Sequence, residues 1–216
     1  MLKNPQDAFF SILLREDTHM THGKIELGDV LNFFEYEKVR EQMRRRVIEL
    51  KRTRRVAVGP YLSFVFENRD TLLFQIQEMC RVERITDDAK IQDEIDVYGA
   101  LLPRPGELSA TLMIEITDKE QIKPVLDRFM GIDTGQRVWM QVGKEFAVAG
   151  EFEAGHSDEE KGKLAAVHFV RFTFPAAAVR AFADSPAFVA VDHPAARARV
   201  ELSAETKAAL SEDLLR

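Results

Sequence analysis

The sequence predicts an α+β protein, an N-terminal helical half packed on a mainly antiparallel C-terminal sheet of several hairpins. Three observations carry this. Long segments of helical period lie before residue 103, segments of strand period dominate after it, and strands and helices do not alternate as in a doubly wound parallel sheet. The 216 residues are 45% hydrophobic, and 36 acidic against 30 basic side chains give a net charge of −6. That composition suits a folded chain that needs no disulfide framework. Its single cysteine, Cys80, predicts a reducing compartment, the cytoplasm.

Residues 1–25 read as an extension ahead of a single domain over 26–216. Asn4 can cap a short amphipathic helix with Pro5 at its first position and Phe9, Phe10, Leu13 and Leu14 on one face. That face needs a cover, from this chain or from a second copy in a homodimer. The apolar stretch is too short to span a bilayer, and Asp7 and Arg15-Glu16-Asp17 around it do not suit a signal peptide. Asp17–Gly23 follows as a linker.

A long helix is expected from Gly28 to Lys51, with Tyr36, Val39, Met43, Val47 and Leu50 on its apolar stripe. Arg55–Val58 and Leu62–Glu67 read as a hairpin around Gly59-Pro60-Tyr61. Asn68 is placed to cap a central, mostly buried helix from Arg69 to Arg84, and an acidic helix runs from Asp87 to Leu101. Pro103-Arg104-Pro105-Gly106 then marks a candidate division into two lobes.

Leu108–Ile116 alternates apolar and polar residues as a strand with one buried face. Thr117 with Glu120 forms a capping-box pattern for a helix to Met130. Arg137–Val142 and Phe146–Phe152 flank Gly143-Lys144, which reads as a two-residue type II′ turn. A polar loop over 154–163 leads to a strand over 164–174. Two more strands, Phe188–Val191 and Arg197–Leu202, surround a turn at Asp192-His193-Pro194, and Ser203 caps a final helix. Eight strands and six helices result.

The sequence lacks the phosphate-binding glycine loops, the Gly-x-Ser-x-Gly elbow, Cys-x-x-Cys and His-Glu-x-x-His. NTPase, dinucleotide-binding, hydrolase, zinc-finger and zincin chemistries therefore lose their usual markers. Three features remain. The first is a basic run in which Arg44, Arg45, Arg46, Lys51, Arg52, Arg54 and Arg55 face the single anion Glu49. Such a cluster can bind phosphate or nucleic acid. The bland alternative pairs its cations with Asp87, Asp88, Asp93, Glu94 and Asp96 of the acidic helix. Nucleic acid ranks last, because no aromatic platform interleaves the run.

The second feature is the polar set Glu67, Asn68, Arg69, Gln75, Gln77, Glu78 and Arg81 on the central helix and its approach. Buried polar groups need partners, so the set is either an ion-pair and amide network, with Arg81 pairing locally to Glu78 and Gln77, or a site. As a site it predicts iron, manganese or zinc held by Glu67, Glu78, Glu107 and His168. Third, His168 points into an apolar face as a core histidine, while His193 lies in a turn.

Taken in order, several segments resemble a bacterial family known as a domain of unknown function. They are Glu35-Tyr36-Glu37-Lys38-Val39-Arg40, Arg44-Arg45-Arg46-Val47-Ile48, Arg55-Val56-Ala57-Val58-Gly59-Pro60, and Phe66-Glu67-Asn68-Arg69-Asp70-Thr71 with Phe74-Gln75-Ile76-Gln77-Glu78-Met79. Pro105-Gly106-Glu107-Leu108-Ser109-Ala110-Thr111-Leu112, Ala166-Val167-His168-Phe169 and Asp192-His193-Pro194 continue the likeness. The resemblance implies genes beside those for rubrerythrin, a di-iron peroxide-reducing protein, and for an iron–sulfur oxidoreductase. It thus implies an accessory, docking role in peroxide detoxification or electron transfer, and brings no catalytic residues. One cysteine cannot hold an iron–sulfur cluster of its own. The expected partners are those two proteins.

Overall fold

The computed structural model describes residues 23–153, 157–158 and 163–215. The expected helix over 4–14 and its linker up to residue 22 lie outside these residues. Six α-helices are described: α1 (Phe33–Arg52), α2 (Arg69–Val82), α3 (Asp88–Gly99), α4 (Ile122–Arg128), α5 (Ala176–Phe182) and α6 (Ala204–Leu214). The strands are β1 (Arg55–Val58), β2 (Leu62–Phe66), β3 (Glu107–Ile114), β4 (Val138–Val142), β5 (Phe146–Phe152), β6 (Ser157–Asp158), β7 (Lys163–Leu164), β8 (Val167–Thr173), β9 (Ala187–His193) and β10 (Ala196–Glu201).

Eight of these strands form one antiparallel sheet in the order β1-β2-β3-β8-β5-β4-β9-β10. The fold is therefore α+β, and the N-terminal half contributes its own edge hairpin to the sheet. The sheet curls until β1 approaches β9 and β10. Its concave side encloses the main core, where Phe64, Phe66, Leu112, Met140 and Phe172 meet Phe129 at the end of α4, Phe182 of α5 and Leu210 of α6. Such curvature needs a small residue where strands crowd. At Gly150 in β5, a Cβ would stand 2.6 Å from Val170 Cγ2, 3.1 Å from Phe172 Cε1 and 3.3 Å from the Val138 carbonyl oxygen.

The other side of the sheet carries the helices α2 and α3, which share a second, smaller core of Ile25, Leu72, Ile76, Cys80, Ile95 and Leu101, with Phe169 of β8 packed against it. This cover explains why β3 is buried on both faces at its start despite its alternating sequence, Ser109 included. Arg171 of β8 binds the candidate lobe boundary to the sheet. It donates to the carbonyls of Ala100 (2.6 Å) and Leu102 (3.2 Å) and to Glu107 Oε2 (2.5 Å), which also accepts from the Arg104 N–H.

Several expectations need correction. The first long helix begins at Phe33, because Asn32 accepts from the Glu35 N–H, and Leu27–Asp29 is a separate 3-10 turn. Asp118, not Thr117, caps the next turn, a 3-10 segment Lys119–Gln121 that hands over to α4. Val142 pairs with Phe146, so the β4–β5 turn has three residues, with Gly143 at φ 58° and its N–H bonded to the Pro186 carbonyl. The strand expected over 164–174 is broken, with Leu164 pairing in the short β6–β7 hairpin and β8 starting at Val167. α5, opened by Pro175 before three alanines, is absent from the sequence reading. His193 ends β9 inside the core region, where Nε2 donates to the Met130 carbonyl at 3.0 Å and Nδ1 accepts from the Ala195 N–H at 3.1 Å.

Gly150→Ala is expected to destabilise the fold by about 1–3 kcal/mol, since β-sheet backbone and core side chains must move apart. Guanidinium denaturation of the two proteins measures this as a lower midpoint at unchanged slope. Asp213→Asn is expected to cost about 3–5 kcal/mol by stranding the buried Arg54 charge described below, read in the same assay.

Candidate functional site

The polar residues of α2 resolve into separate clusters. The most connected is centred on Glu78. Tyr36, fully buried on α1, donates its hydroxyl to Glu78 Oε1 at 2.6 Å. Arg40, one turn later on α1, grips the same carboxylate as a fork, Nε to Oε1 at 2.7 Å and a terminal nitrogen to Oε2 at 2.9 Å. Arg81 stands 3.5 Å away as the expected local partner and donates to Glu37 at 3.3 Å. Gln77, also expected to pair with Arg81, uses both ends of its amide on the Leu31 backbone, accepting at 2.9 Å and donating at 2.8 Å.

The electrostatics follow from this geometry. The Arg40 hydrogen bonds, helped by Tyr36, hold the Glu78 carboxyl down to about 2 against the opposing effect of burial. Burial, then the Glu78 contact, drives the Tyr36 phenol well above its ordinary value. Cys80 is buried and its thiol is pushed up, first by burial and then by the charge of Glu94, so it is a poor nucleophile.

Glu67, by contrast, is held between α2 and the sheet by hydroxyls, accepting from Thr111 at 2.6 Å and from Thr71. Asn68 caps α2 reciprocally with Thr71, and Arg69 pairs with Asp29 at 2.5 Å. Gln75 is half-buried on α2. Glu107 belongs to Arg171, as described above. His168, buried as expected, donates through Nε2 to the Ala165 carbonyl at 2.8 Å, and its Nδ1 lies 3.6 Å from the carboxylate of buried Asp133. Glu67, Glu78, Glu107 and His168 thus each have their own partners. Among the described residues, no three His, Cys, Asp or Glu side chains are grouped as a metal would need.

The basic run also divides. Arg54 is withdrawn from any surface role: it is 0% exposed and bound to Asp213 of α6 by two hydrogen bonds of 2.6 and 3.2 Å. Arg46 reaches Asp70 at 3.4 Å, Arg52 pairs with Glu49, and Arg55 pairs with Glu115 across the strands. None of these partners lies on the acidic helix, so the expected pairing between the two elements does not form. There, burial and then the charges of Glu83 and Asp93 push Glu94 up. Arg44 and Arg45 remain exposed on α1 with no ion pair among the described residues. On the same helix Phe34 is 77% and Ile48 51% exposed.

Tyr36, Arg40, Asp133, Arg171 and Asp213 are not among the site residues that the sequence suggests. Tyr36 carried a signal, since a tyrosine on an apolar stripe needs a partner for its hydroxyl, and Arg40 follows it at one helical turn. The others are joined by tertiary contacts between distant segments and have no local signal.

Residues 24–214 match the model of a family described as "Protein of unknown function (DUF3501)". The chain is also similar to a solved structure, a novel protein of unknown function from Burkholderia pseudomallei K96243, with 32% identity and a TM-score of 0.82. The match covers 89% of this chain and 100% of that one. No curated protein matches. Among the described residues no helix is long and apolar enough to cross a membrane.

Glu78 yields a pH prediction. Its folded-state value lies below the ordinary 4.5, so its stabilisation is fully present above that value and is lost as pH falls towards about 2. Thermal melts between these limits are expected to fall more steeply for the parent than for Glu78→Gln, a difference of up to about 3 kcal/mol.

Proposed function

The chain belongs to the DUF3501 family of proteins of unknown function, and on that premise we propose that it is a non-enzymatic docking protein of a cytoplasmic peroxide-detoxification or electron-transfer system. Its partners on this reading are rubrerythrin and an iron–sulfur oxidoreductase, the two that the family resemblance implies. One observation carries the reading. Glu67, Glu78 and Glu107 are engaged by intramolecular donors, whereas two arginines of the basic run without an ion pair among the described residues, Arg44 and Arg45, stand beside exposed Ile48 on the outer surface of α1.

A reacting carboxylate must be open to its substrate, and a recognition surface must leave charge and apolar area unspent. α1 fits the second description. Its inner stripe buries Tyr36 and Val47, and its outer stripe offers two arginines with apolar side chains at either end. An acidic patch on the partner would be steered by the former and would cover the latter.

Binding of each purified partner to the immobilised chain, at low and moderate salt, tests the proposal. The parent is expected to bind, more weakly at higher salt, and the Arg44→Glu/Arg45→Glu variant to bind about tenfold or more weakly. Binding of neither partner at either salt overturns it. Elemental analysis of untagged, anaerobically purified protein separates this reading from a metal centre, which near-stoichiometric iron, manganese or zinc would favour.

A further inference from the structure

A cavity of about 140 Å³ lies where the 3-10 turn Leu27–Asp29 and the start of α1 meet α2 and the α2–α3 connection. It is independent of the outer surface of α1. Leu27, Val30, Ile85 and Ile91 supply apolar walls, and the buried Cys80 lies between them. These apolar walls and the protonated thiol give one side of the cavity room for carbon, and polar groups line the rest.

The polar groups on its lining are weighted towards donors. Gln77 contributes nothing, because its amide is spent on Leu31. Arg81 is different. The fork of Arg40 already occupies both oxygens of Glu78, so Arg81 is a second cation on a satisfied carboxylate. Its one hydrogen bond goes from a terminal nitrogen to Glu37, its buried Nε faces Glu78 at 3.5 Å, and the remaining N–H groups of the guanidinium carry no hydrogen bond among the described residues. Asn32 accepts the Glu35 N–H with Oδ1 and keeps its amide N–H groups, and the hydroxyl of Thr86 lies at the same rim. The single carboxylate on the lining, Asp88, is exposed on the first turn of α3.

We propose that this cavity binds a short-chain aliphatic monocarboxylate, with the carboxylate on Arg81 and Asn32 and the alkyl tail among Leu27, Val30, Ile85 and Ile91. Size limits the class. A cavity of about 150 Å³ admits a ligand of roughly six heavy atoms, the size of butyrate. A phosphate or sulfate would leave the apolar walls unfilled, and an alkylammonium ion would meet the guanidinium. So few atoms support a Kd on the order of 1 mM.

Titration of the ¹⁵N-labelled protein with sodium butyrate tests this, with butyramide and butylammonium as matched neutral and cationic probes. Saturable shifts are expected for backbone amides around Val30, Leu31, Ile85 and Ile91 and for the side-chain amide of Asn32. Butyramide should bind about tenfold more weakly and butylammonium not at all. Arg81→Gln is expected to weaken butyrate by about tenfold or more. Ile91→Trp, which fills the space, should abolish binding while the spectrum remains that of the folded protein. No saturation by about 20 mM butyrate, equal binding of butyrate and butyramide, or unchanged binding in folded Ile91→Trp each overturns the assignment.

Discussion

Much of the structure depends on one buried ion pair. Arg54, immediately before β1, and Asp213, near the end of α6, are nearly inaccessible, at 0% and 3% side-chain exposure. Taking two such charges out of water costs several kcal/mol each, and the attraction offsets this only when the hydrogen bonds are well formed. Here they are doubled. The pair fixes the first edge of the sheet against the helix that lies across the concave side, so the curl bringing β1 near β10 has a defined end point. Within that curl Gly150 and the phenylalanines set the packing, and the helical layer outside it inherits its position from β2, β3 and β8.

The two sides of the sheet are held by different physics. The concave side is apolar and close-packed, as Phe64, Leu112, Met140 and Phe172 show. The convex side adds directional bonds to its smaller apolar core. Glu67 receives the hydroxyls of Thr71 and Thr111, and Arg171 gathers two carbonyls and Glu107. Non-directional burial tolerates sliding, whereas a carboxylate between two fixed hydroxyls does not. The helical layer is therefore located in part by its polar contacts, and these same contacts engage the carboxylates of Glu67 and Glu107.

The strands of the large sheet, the caps at Asn68 and Ser203 and the burial of α2 were legible because each is a local pattern: a period, or a side chain that reaches its own backbone. α1 starts later than its sequence predicts because Asn32, a capping signal as local as Asn68, lies inside the expected span. Strand order, the Arg54–Asp213 pair and the Arg40–Glu78 fork join segments far apart in the chain, and periodicity carries no information about such pairings. For the candidate site, the sequence names polar residues that the structure distributes over separate clusters. Their partners Tyr36, Arg40, Thr111 and Arg171 come from segments distant in the chain, and no local pattern announces them.

The sheet order has a consequence for synthesis on the ribosome. β1, β2 and β3 emerge early and pair in sequence, yet the free edge of β3 receives β8 only after β4, β5 and the short hairpin have been made. Arg54 waits longer still, since its counter-ion is 159 residues away. The nascent chain therefore carries an apolar strand edge and an unmatched guanidinium together, beside a helical layer that Arg171 has not yet secured. Such intermediates invite edge-to-edge association. Emergence of β8 and then of α6 ends that exposure in two steps, the first closing the edge and the second neutralising the charge.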